Sequence, residues 1–571
     1  MLKKWLLPDP PQQSKNGVKL WQFISQEPTM LGKRKLQHSY FDAIGLPHRV
    51  SPDSFYGRMG SLTGRLLRDD DLKEMYSADN GRPSLPPSMM AGALILQFYD
   101  DVSDGEAVER IRFDLRWKVA LNLPLDYDGF DSSSLSVFRA RLVKHKQERY
   151  AFDRLLEVAR EEGFLADKVT LLSDTTNAKG AGATQDTYTL LRKGIRKLLK
   201  TMGYHLPGKR QGCSAEIEKL LATYVDQDRK AEIDWSDPAT RSAQLKTLVT
   251  DSEAALELAL KQIEDPEIRS LGWVISKILG DDVEQTSGGG YKIGEGTAPD
   301  RFISLYDLEM RHGRKSASKK FDGHKVSTSM DQASELILDI EDLSAPLGDG
   351  QDLLPAIGRV EEHVGVTVER AIVDGAYGSG ENRAACAERP DNPIDLLSPM
   401  RRPNDPAVDK SAFSIDDQAQ TATCPKGQTV PANSIKTDQQ ERTTFTFVFE
   451  RTICETCSLF TRCVRSKTTG RTVTTSFYED YLRAARQRQE TDEFKQLYRL
   501  RPRIEGKQAE LVSHGLRKTR YVGKPKRRLQ QLWLAAAVNL KRLFKLAEIR
   551  ASYLTTILTP VCEANMTAVM V

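Results

Sequence analysis

At 571 residues, with 39% hydrophobic and 28% charged side chains, the chain exceeds the size of one hydrophobic core and is expected to form two to four soluble domains. A formal charge of +4 is too small to name a partner, but it is unevenly spread: the segment 499–528 holds eleven Lys or Arg against two Glu, a local +9 that leaves the remainder at about −5. The first apolar run is too short for a secretory signal and is broken by Pro8, and no stretch has the length of a membrane span, so a cytoplasmic setting with reduced thiols is expected.

Residues 1–50 scatter prolines among polar residues and read as a weakly structured arm. From 51 to 165 the pattern is helical. Leu85-Pro86-Pro87-Ser88 opens one helix, with proline tolerated in the first turn and residues 89–98 as its apolar body. Asp104-Gly105-Glu106 opens a second, carrying Val108, Ile111, Leu115 and Val119 at spacings of three and four. Asp131-Ser132-Ser133-Ser134 starts a third, with Leu135, Phe138 and Leu142 on one face and Arg139, Arg141, Lys144 and Lys146 exposed around it. A helical domain ending in a basic helix suits contact with a DNA end through Arg139 and Arg141. The plainer alternative is a bundle that braces the core.

A core is expected over 166–400, interrupted by a helical insertion at about 181–290. Residues 169–173 read as a strand ending at Asp174. The segment 187–278 alternates charge with Leu and Ala as exposed helices do, and Gly288-Gly289-Gly290 marks a turn. Residues 301–307 and 321–328 read as two strands, with Arg311-His312-Gly313-Arg314-Lys315 as a basic hairpin loop between them. Residues 331–343 read as a helix, 367–374 as the next strand and 393–398 as a short last one. The core resumes at 491–546 and closes with a helix over 529–546, whose Leu532, Ala536, Asn539, Leu540 and Leu543 are expected to pack on the sheet; 547–571 is a tail. Periodicity alone gives an α/β protein with a mixed sheet.

Between these two parts of the core, residues 401–490 read as a Cys-rich insertion. Cys454-Glu455-Thr456-Cys457 is followed by Cys463 and preceded by Cys424 in a Cys-Pro-Lys-Gly turn. One single thiol, one close pair and one near neighbour can close a tetrahedral Zn²⁺ shell. Residues 443–449 and 471–475 would supply the ribbons of a zinc-ribbon-like module. Ordinary reduced thiols are the alternative, because the spacing is not a symmetric double Cys-x2-Cys. Cys213, Cys386 and Cys562 read as ordinary thiols.

Three acids stand in settings suited to a divalent cation beside a phosphodiester. Asp174 and Asp374 end apolar strands, the second followed by Gly375-Ala376-Tyr377-Gly378, which leaves room for a phosphate backbone; Glu505 lies among Arg499, Arg501, Arg503 and Lys507. Singly, each has a plainer reading as a turn residue, a helix cap or a salt-bridge partner. Pro502 fits a first helical turn, so Tyr498 and Arg501 precede that helix or lie across a kink. No Walker-type phosphate loop is present in the sequence, so no nucleotide cofactor is implied.

Together these segments resemble the catalytic core of bacterial insertion-sequence transposases of the Asp-Asp-Glu type. One branch carries a Tyr-x2-Arg-x3-Glu-x6-Lys signature, and Tyr498, Arg501 and Glu505 match it, while Val512 takes the lysine position. Lys507, Arg517 or Lys518 could supply the missing cation. Ser173-Asp174-Thr175-Thr176, Asp307 to Gly313, Phe321 to Val326 and Ala536 to Leu543 extend the resemblance over roughly residues 50–546. A Cys-rich insertion before the glutamate, as here at 401–490, also occurs in this branch.

The resemblance implies a ribonuclease-H-like mixed-sheet core carrying the N-terminal helical domain and both insertions. It implies a transposase that binds the terminal inverted repeats of an insertion sequence and cuts and rejoins DNA, with Asp174, Asp374 and Glu505 as catalytic residues holding two Mg²⁺ (or Mn²⁺) ions. Tyr498, Arg501, Lys507, Arg517 and Lys518 would contact DNA. The partners implied are double-stranded element ends and target, and a second copy in a homodimer or larger synaptic complex, without membrane. A metal nuclease lacking strand transfer, or a zinc-containing DNA-binding protein with an inactive nuclease core, are the alternatives.

Overall fold

The computed structural model describes residues 31, 49–62, 66–77, 83–227, 234–298, 300–315 and 318–567, with side chains to residue 551. Most of the expected N-terminal arm and residues 568–571 fall outside that description, as do the side chains beyond residue 551, that of Cys562 among them; the expected tail from 547 instead continues the last helix to Thr567. Among the described residues six α-helices come first: α1 (Phe55–Leu62), α2 (Pro87–Tyr99), α3 (Asp104–Phe113), α4 (Leu115–Leu121), α5 (Ser133–Lys144) and α6 (Tyr150–Glu161). Helix α2 is buried from Pro87 to Phe98, as a helix apolar on every side must be. The expected single helix through Val119 is two. Asp114 ends α3 and its side chain accepts the Arg116 amide to start α4, so a local cap overrides the periodicity.

The expected exposure of Arg139 is also corrected. It is buried, its guanidinium bonded to Asp104 Oδ1 at 2.9 Å and Oδ2 at 2.5 Å and lying over Tyr521. Arg141 is half-buried and stacks on Tyr76.

Strand β1 (Lys168–Lys179) leads into a separate helical cluster of α7 (Thr187–Thr201), α8 (Ala215–Leu221), α9 (Pro238–Leu260) and α10 (Pro266–Asp282), closed by the small hairpin β2 (Val283–Gln285) and β3 (Tyr291–Ile293). Then come β4 (Arg311–Arg314), β5 (Lys320–Asp331), β6 (Ile337–Ser344), α11 (Leu353–Val364), β7 (Thr367–Ile372), α12 (Gly380–Ala387) and β8 (Asp395–Leu397). The main sheet runs β4-β5-β1-β7-β8, with β6 also on β5; β1 is antiparallel to β5 and parallel to β7, and β7 is parallel to β8. Three strands up and down followed by two parallel ones is an order compatible with a ribonuclease-H-like core.

Three strand-level expectations change. Residues 301–307 make no strand, because their main chain is held by Gln185 instead, whose side chain accepts the Leu305 amide at 2.8 Å. Residues 311–314 are strand rather than loop. Residues 331–343, expected as a helix, are a turn and strand β6. Asp331 accepts from the amide and hydroxyl of Ser334, which looks like a helix cap but closes a hairpin, with Glu335 in the left-handed region at φ 58°. Ile337 and Ile340 then pair with β5, where β-branched side chains pack well.

A third cluster follows, with β9 (Ser414–Asp416), β10 (Thr421–Thr423), β11 (Thr429–Pro431), β12 (Ser434–Thr437), β13 (Thr443–Val448), α13 (Arg451–Glu455), α14 (Phe460–Cys463) and β14 (Thr472–Thr474) around Phe445, Phe447, Phe449 and Val473. The ribbons expected at 443–449 and 471–475 pair as β13 and β14. The chain ends in α15 (Glu479–Gln489), α16 (Asp492–Tyr498), α17 (Pro502–Ser513) and α18 (Lys524–Thr567).

Helix α18 unites the molecule. Its Leu529, Leu532, Trp533 and Leu540 join one apolar core with α2, α6, Val326 and Ile340. Asn539 donates to and accepts from the main chain of Ile337, both at 2.8 Å, so a side chain covers the edge of β6. At its start, buried Arg527 reaches Asp307 (3.1 Å), Asp342 (2.8 Å) and Glu309 (2.7 Å). The Asp307–Gly313 segment thus anchors α18 through buried charge. No helix among the described residues is long and apolar enough to cross a membrane.

Candidate active site

Parallel register brings the first two acids together. Leu172 on β1 lies beside Ile372, the last residue of β7. Asp174 and Asp374 each lie two residues beyond that last pair, close enough for the Asp374 charge to raise the Asp174 pKa. Asp174 is therefore within β1, which runs on to Lys179, rather than at its end. Asp374 follows β7 and its Oδ1 accepts the Ala376 amide at 2.8 Å, so it also caps the turn.

The Leu172 and Ile372 side of the sheet is covered by α16 and α17. Leu172, Met330, Ile372 and Leu397 pack on Phe494 and Ile504. With Ile504 buried, Arg501 and Glu505 flank it at the start of α17, and Pro502 occupies the first turn as expected. Arg501 Nη2 donates to Asp174 Oδ2 at 3.2 Å, and Nη1 donates to Glu505 Oε1. Tyr498 ends α16 and stacks on Phe494.

The electrostatics follow from that crowding. Burial pushes the Asp174 carboxyl up to about 6; Asp374 and Asp349 push the same way, while Arg501 and the Thr175 amide pull against them. Burial opposes the Arg501 charge, yet Asp174, Tyr498, Glu505 and Asp374 together hold its pKa above the ordinary value. Burial raises the Tyr498 and Tyr377 phenols, and both feel the charges of Asp174 and Asp374. Tyr377 Oη and Arg501 Nε are buried without a hydrogen-bond partner.

Oxygen donors of this kind suit a hard divalent cation, and excess negative charge beside an orphaned phenol fits one. As folded, though, Arg501 occupies the ground between Asp174 and Glu505. Among the described residues no three His, Cys, Asp or Glu side chains form a ready-made ion shell.

Asp349 was missed at the level of sequence. It sits in the turn before α11, bonds Lys325 Nζ at 2.8 Å, and is close enough to Asp174 to raise its pKa. Gly348-Asp349-Gly350 reads locally as nothing but a turn.

The cations expected to touch DNA are dispersed. Lys507, expected to contact DNA, is buried and its Nζ bonds Glu510 at 3.0 Å. Val512, seven residues after Glu505, shares that residue's side of α17. Arg517 is exposed and its Nε donates to Thr176 Oγ1 at 3.0 Å, two residues along β1 from Asp174 and on the same face. Lys518 is exposed and bridges to Lys179 at the end of β1.

Cys424, Cys454, Cys457 and Cys463 line one cavity of about 290 Å³. Cys424 forms a tight turn, with Gly427 N donating to its carbonyl and Gln428 N to its Sγ at 3.4 Å; Leu459 N donates to Cys457 Sγ at 3.4 Å. Burial raises the Cys463 thiol, and the other three thiols add to the effect. The thiols share a cavity but are not closed around one point. Cys386 is buried and its thiol is pushed up to about 11 by burial.

Two family models match the chain. One described as a transposase DDE domain covers residues 423–544, which include the four clustered cysteines, Glu505 and the whole basic stretch 499–528; one described as a transposase domain (DUF772) covers residues 46–141, the N-terminal helices through most of α5. No curated protein and no solved structure matches the chain. The two matches support a DDE-type insertion-sequence transposase, an enzyme acting on DNA.

Proposed function

We propose that the protein binds the terminal inverted repeats of its own insertion sequence, cuts at their ends and joins the released 3′ hydroxyls to target DNA. The observation that carries this reading is the gathering of Asp174, Asp374 and Glu505, from β1, the end of β7 and α17, around the single guanidinium of Arg501. Asp174, Asp374 and Glu505 would hold two divalent cations, Mg²⁺ or Mn²⁺, which supply Lewis-acid activation of the attacking and leaving oxygens when bound.

The chain's own groups do the positioning. Arg501 offers two parallel N–H donors to a phosphate once its carboxylate partners are otherwise engaged. Tyr498 stands beside it to stack on or hydrogen-bond the cleaved end. Arg517, on the Asp174 face of β1, takes the place of the signature lysine that Val512 lacks. Cys424, Cys454, Cys457 and Cys463 would hold a structural Zn²⁺, their N–H···S bonds and shared cavity fitting thiolate ligation. The enzyme works in the bacterial cytoplasm, as a dimer or larger complex that pairs two DNA ends.

The test is cleavage and joining of duplexes taken from the DNA flanking its own gene, with Mg²⁺ or Mn²⁺. Asp174→Ala, Asp374→Ala and Glu505→Gln should each abolish cleavage while leaving end binding largely intact; full cleavage by any of them removes the reading. Pre-cleaved ends separate a transposase from a nuclease that only hydrolyses. Val512 on the Glu505 side of α17 favours a second reading, a DNA-binding protein with a dead nuclease core, which any metal-dependent nicking dismisses.

A further inference from the structure

We infer that the β4–β5 hairpin is a phosphate clamp for the DNA end, gripping its backbone seven or eight base pairs from the reacting phosphodiester. The inference rests on the proposed transposase reading. The hairpin connection reads Arg314-Lys315-Ser316-Ala317-Ser318-Lys319-Lys320, four cations with no acid among them. Arg314 and Lys320 are direct cross-strand partners, and both are exposed. Like charges placed opposite each other destabilise a strand pair, so a polyanion facing Arg314 and Lys320 would relieve that pairing.

Two glycines fit the paired strands closely to their neighbours. At Gly313 an added Cβ would lie 2.2 Å from the Phe321 ring, so only glycine lets that ring lie across the ribbon. At Gly323 it would lie 2.2 Å from the Ala178 carbonyl oxygen, which locks β5 onto β1. Beside the hairpin lies a cavity of about 810 Å³ whose charged lining is Arg301, Arg314, Lys320 and Lys325 against Asp322 and Asp349. On the groove wall Lys325 Nζ donates to Asp349 Oδ1 at 2.8 Å.

Position follows from register. Asp174 pairs with Thr328, and Lys320 lies eight residues along the same strand β5. At about 3.3 Å per residue that is about 26 Å, or seven to eight steps of a DNA strand at about 3.4 Å each. The interval is lined with positive charge: Arg517 on Thr176, then Lys518 bridged to Lys179, whose β5 partner is Gly323. A duplex end laid along β1 with its terminus at the acids would meet Arg517, Lys518 and then the hairpin.

The test uses the full-length protein, an Arg314→Glu/Lys320→Glu double variant, and element-end duplexes of about 6 and about 15 base pairs, with binding measured in EDTA. On the longer duplex the variant should bind at least about tenfold more weakly at about 0.1 M salt, and its log–log salt slope should fall by about 2. On the shorter duplex it should match the parent. At saturating long duplex in Mn²⁺ its cleavage rate should stay within about twofold, a KM effect without a kcat effect. An unchanged affinity and slope on the long duplex, or an equal loss on both lengths, overturns the clamp. Binding in EDTA needs no chemistry, so failure here is distinguishable from failure of the catalytic triad.

Discussion

Removing the Asp174 charge should make the cation-free protein more stable, and more so at high pH. Asp174 ionises near its ordinary 3.8 in the unfolded chain but at about 6 in the fold, because it is buried and faces Asp374 and Asp349, with Arg501 only partly compensating. Between those values the native state keeps a proton that the unfolded state has lost, so stability falls as pH rises. The displacement from 3.8 to about 6 corresponds to about 3 kcal/mol, fully present below pH 3.8 and gone above about pH 6. Asn at 174 cannot titrate. The unfolding free energy of Asp174→Asn minus that of the parent should therefore grow by about 2–3 kcal/mol between about pH 4 and pH 7.5. Urea unfolding in EDTA at four or five pH values measures it. A difference that stays flat, or shrinks as pH rises, would refute burial and carboxylate crowding as the dominant forces at this site. Adding Mg²⁺ at pH 7.5 should stabilise the parent and leave the Asn variant unmoved.

Arg501→Ala should lower the cleavage rate by about 10²-fold or more, the scale for losing one charge-stabilising donor, with end affinity changed far less; equal losses in rate and affinity would assign Arg501 to binding alone. Arg517→Ala should impair cleavage, and Val512→Lys in that background should restore part of it, since Val512 shares the Glu505 side of α17; a silent Arg517→Ala rejects the substitution of roles. Arg527→Met removes the guanidinium from buried Asp307 and Asp342, leaving them only His324 and Gln531 respectively as side-chain partners, and should cost about 3–5 kcal/mol in urea unfolding. A strong chelator should lower the melting temperature of the parent but not of a Cys454→Ser/Cys463→Ser variant, and metal analysis should find about one Zn²⁺ per parent chain.

Two of the three candidate acids were placed by local marks of a strand end and a helix start, whereas Asp174, expected at a strand end, lies within β1. The apolar run before Asp374 and the proline before Glu505 place both residues correctly, at the end of β7 and in the first turn of α17. Local pattern failed where long-range pairing decides. Asp331 and Ser334 make the same side-chain bonds whether they start a helix or close a hairpin, and only the presence of β5 alongside makes residues 337–344 a strand. Arg139 has the charge of a DNA contact, yet Asp104, thirty-five residues earlier, takes it into the interior. Asp349 left no mark, because its role depends on a turn being folded back beside Asp174.

The apolar core shared by α2 and α18 has a consequence for how the molecule is made. Helix α2 has no polar face to turn to water, and α18, one of the elements that covers it, is synthesised roughly four hundred residues later. At ordinary elongation rates of about 5–20 residues per second, those side chains wait from about twenty seconds to over a minute for their cover. A prematurely terminated product lacks that cover and is a natural substrate for chaperones and proteases. Completion of the core around α2 therefore waits on synthesis of α18.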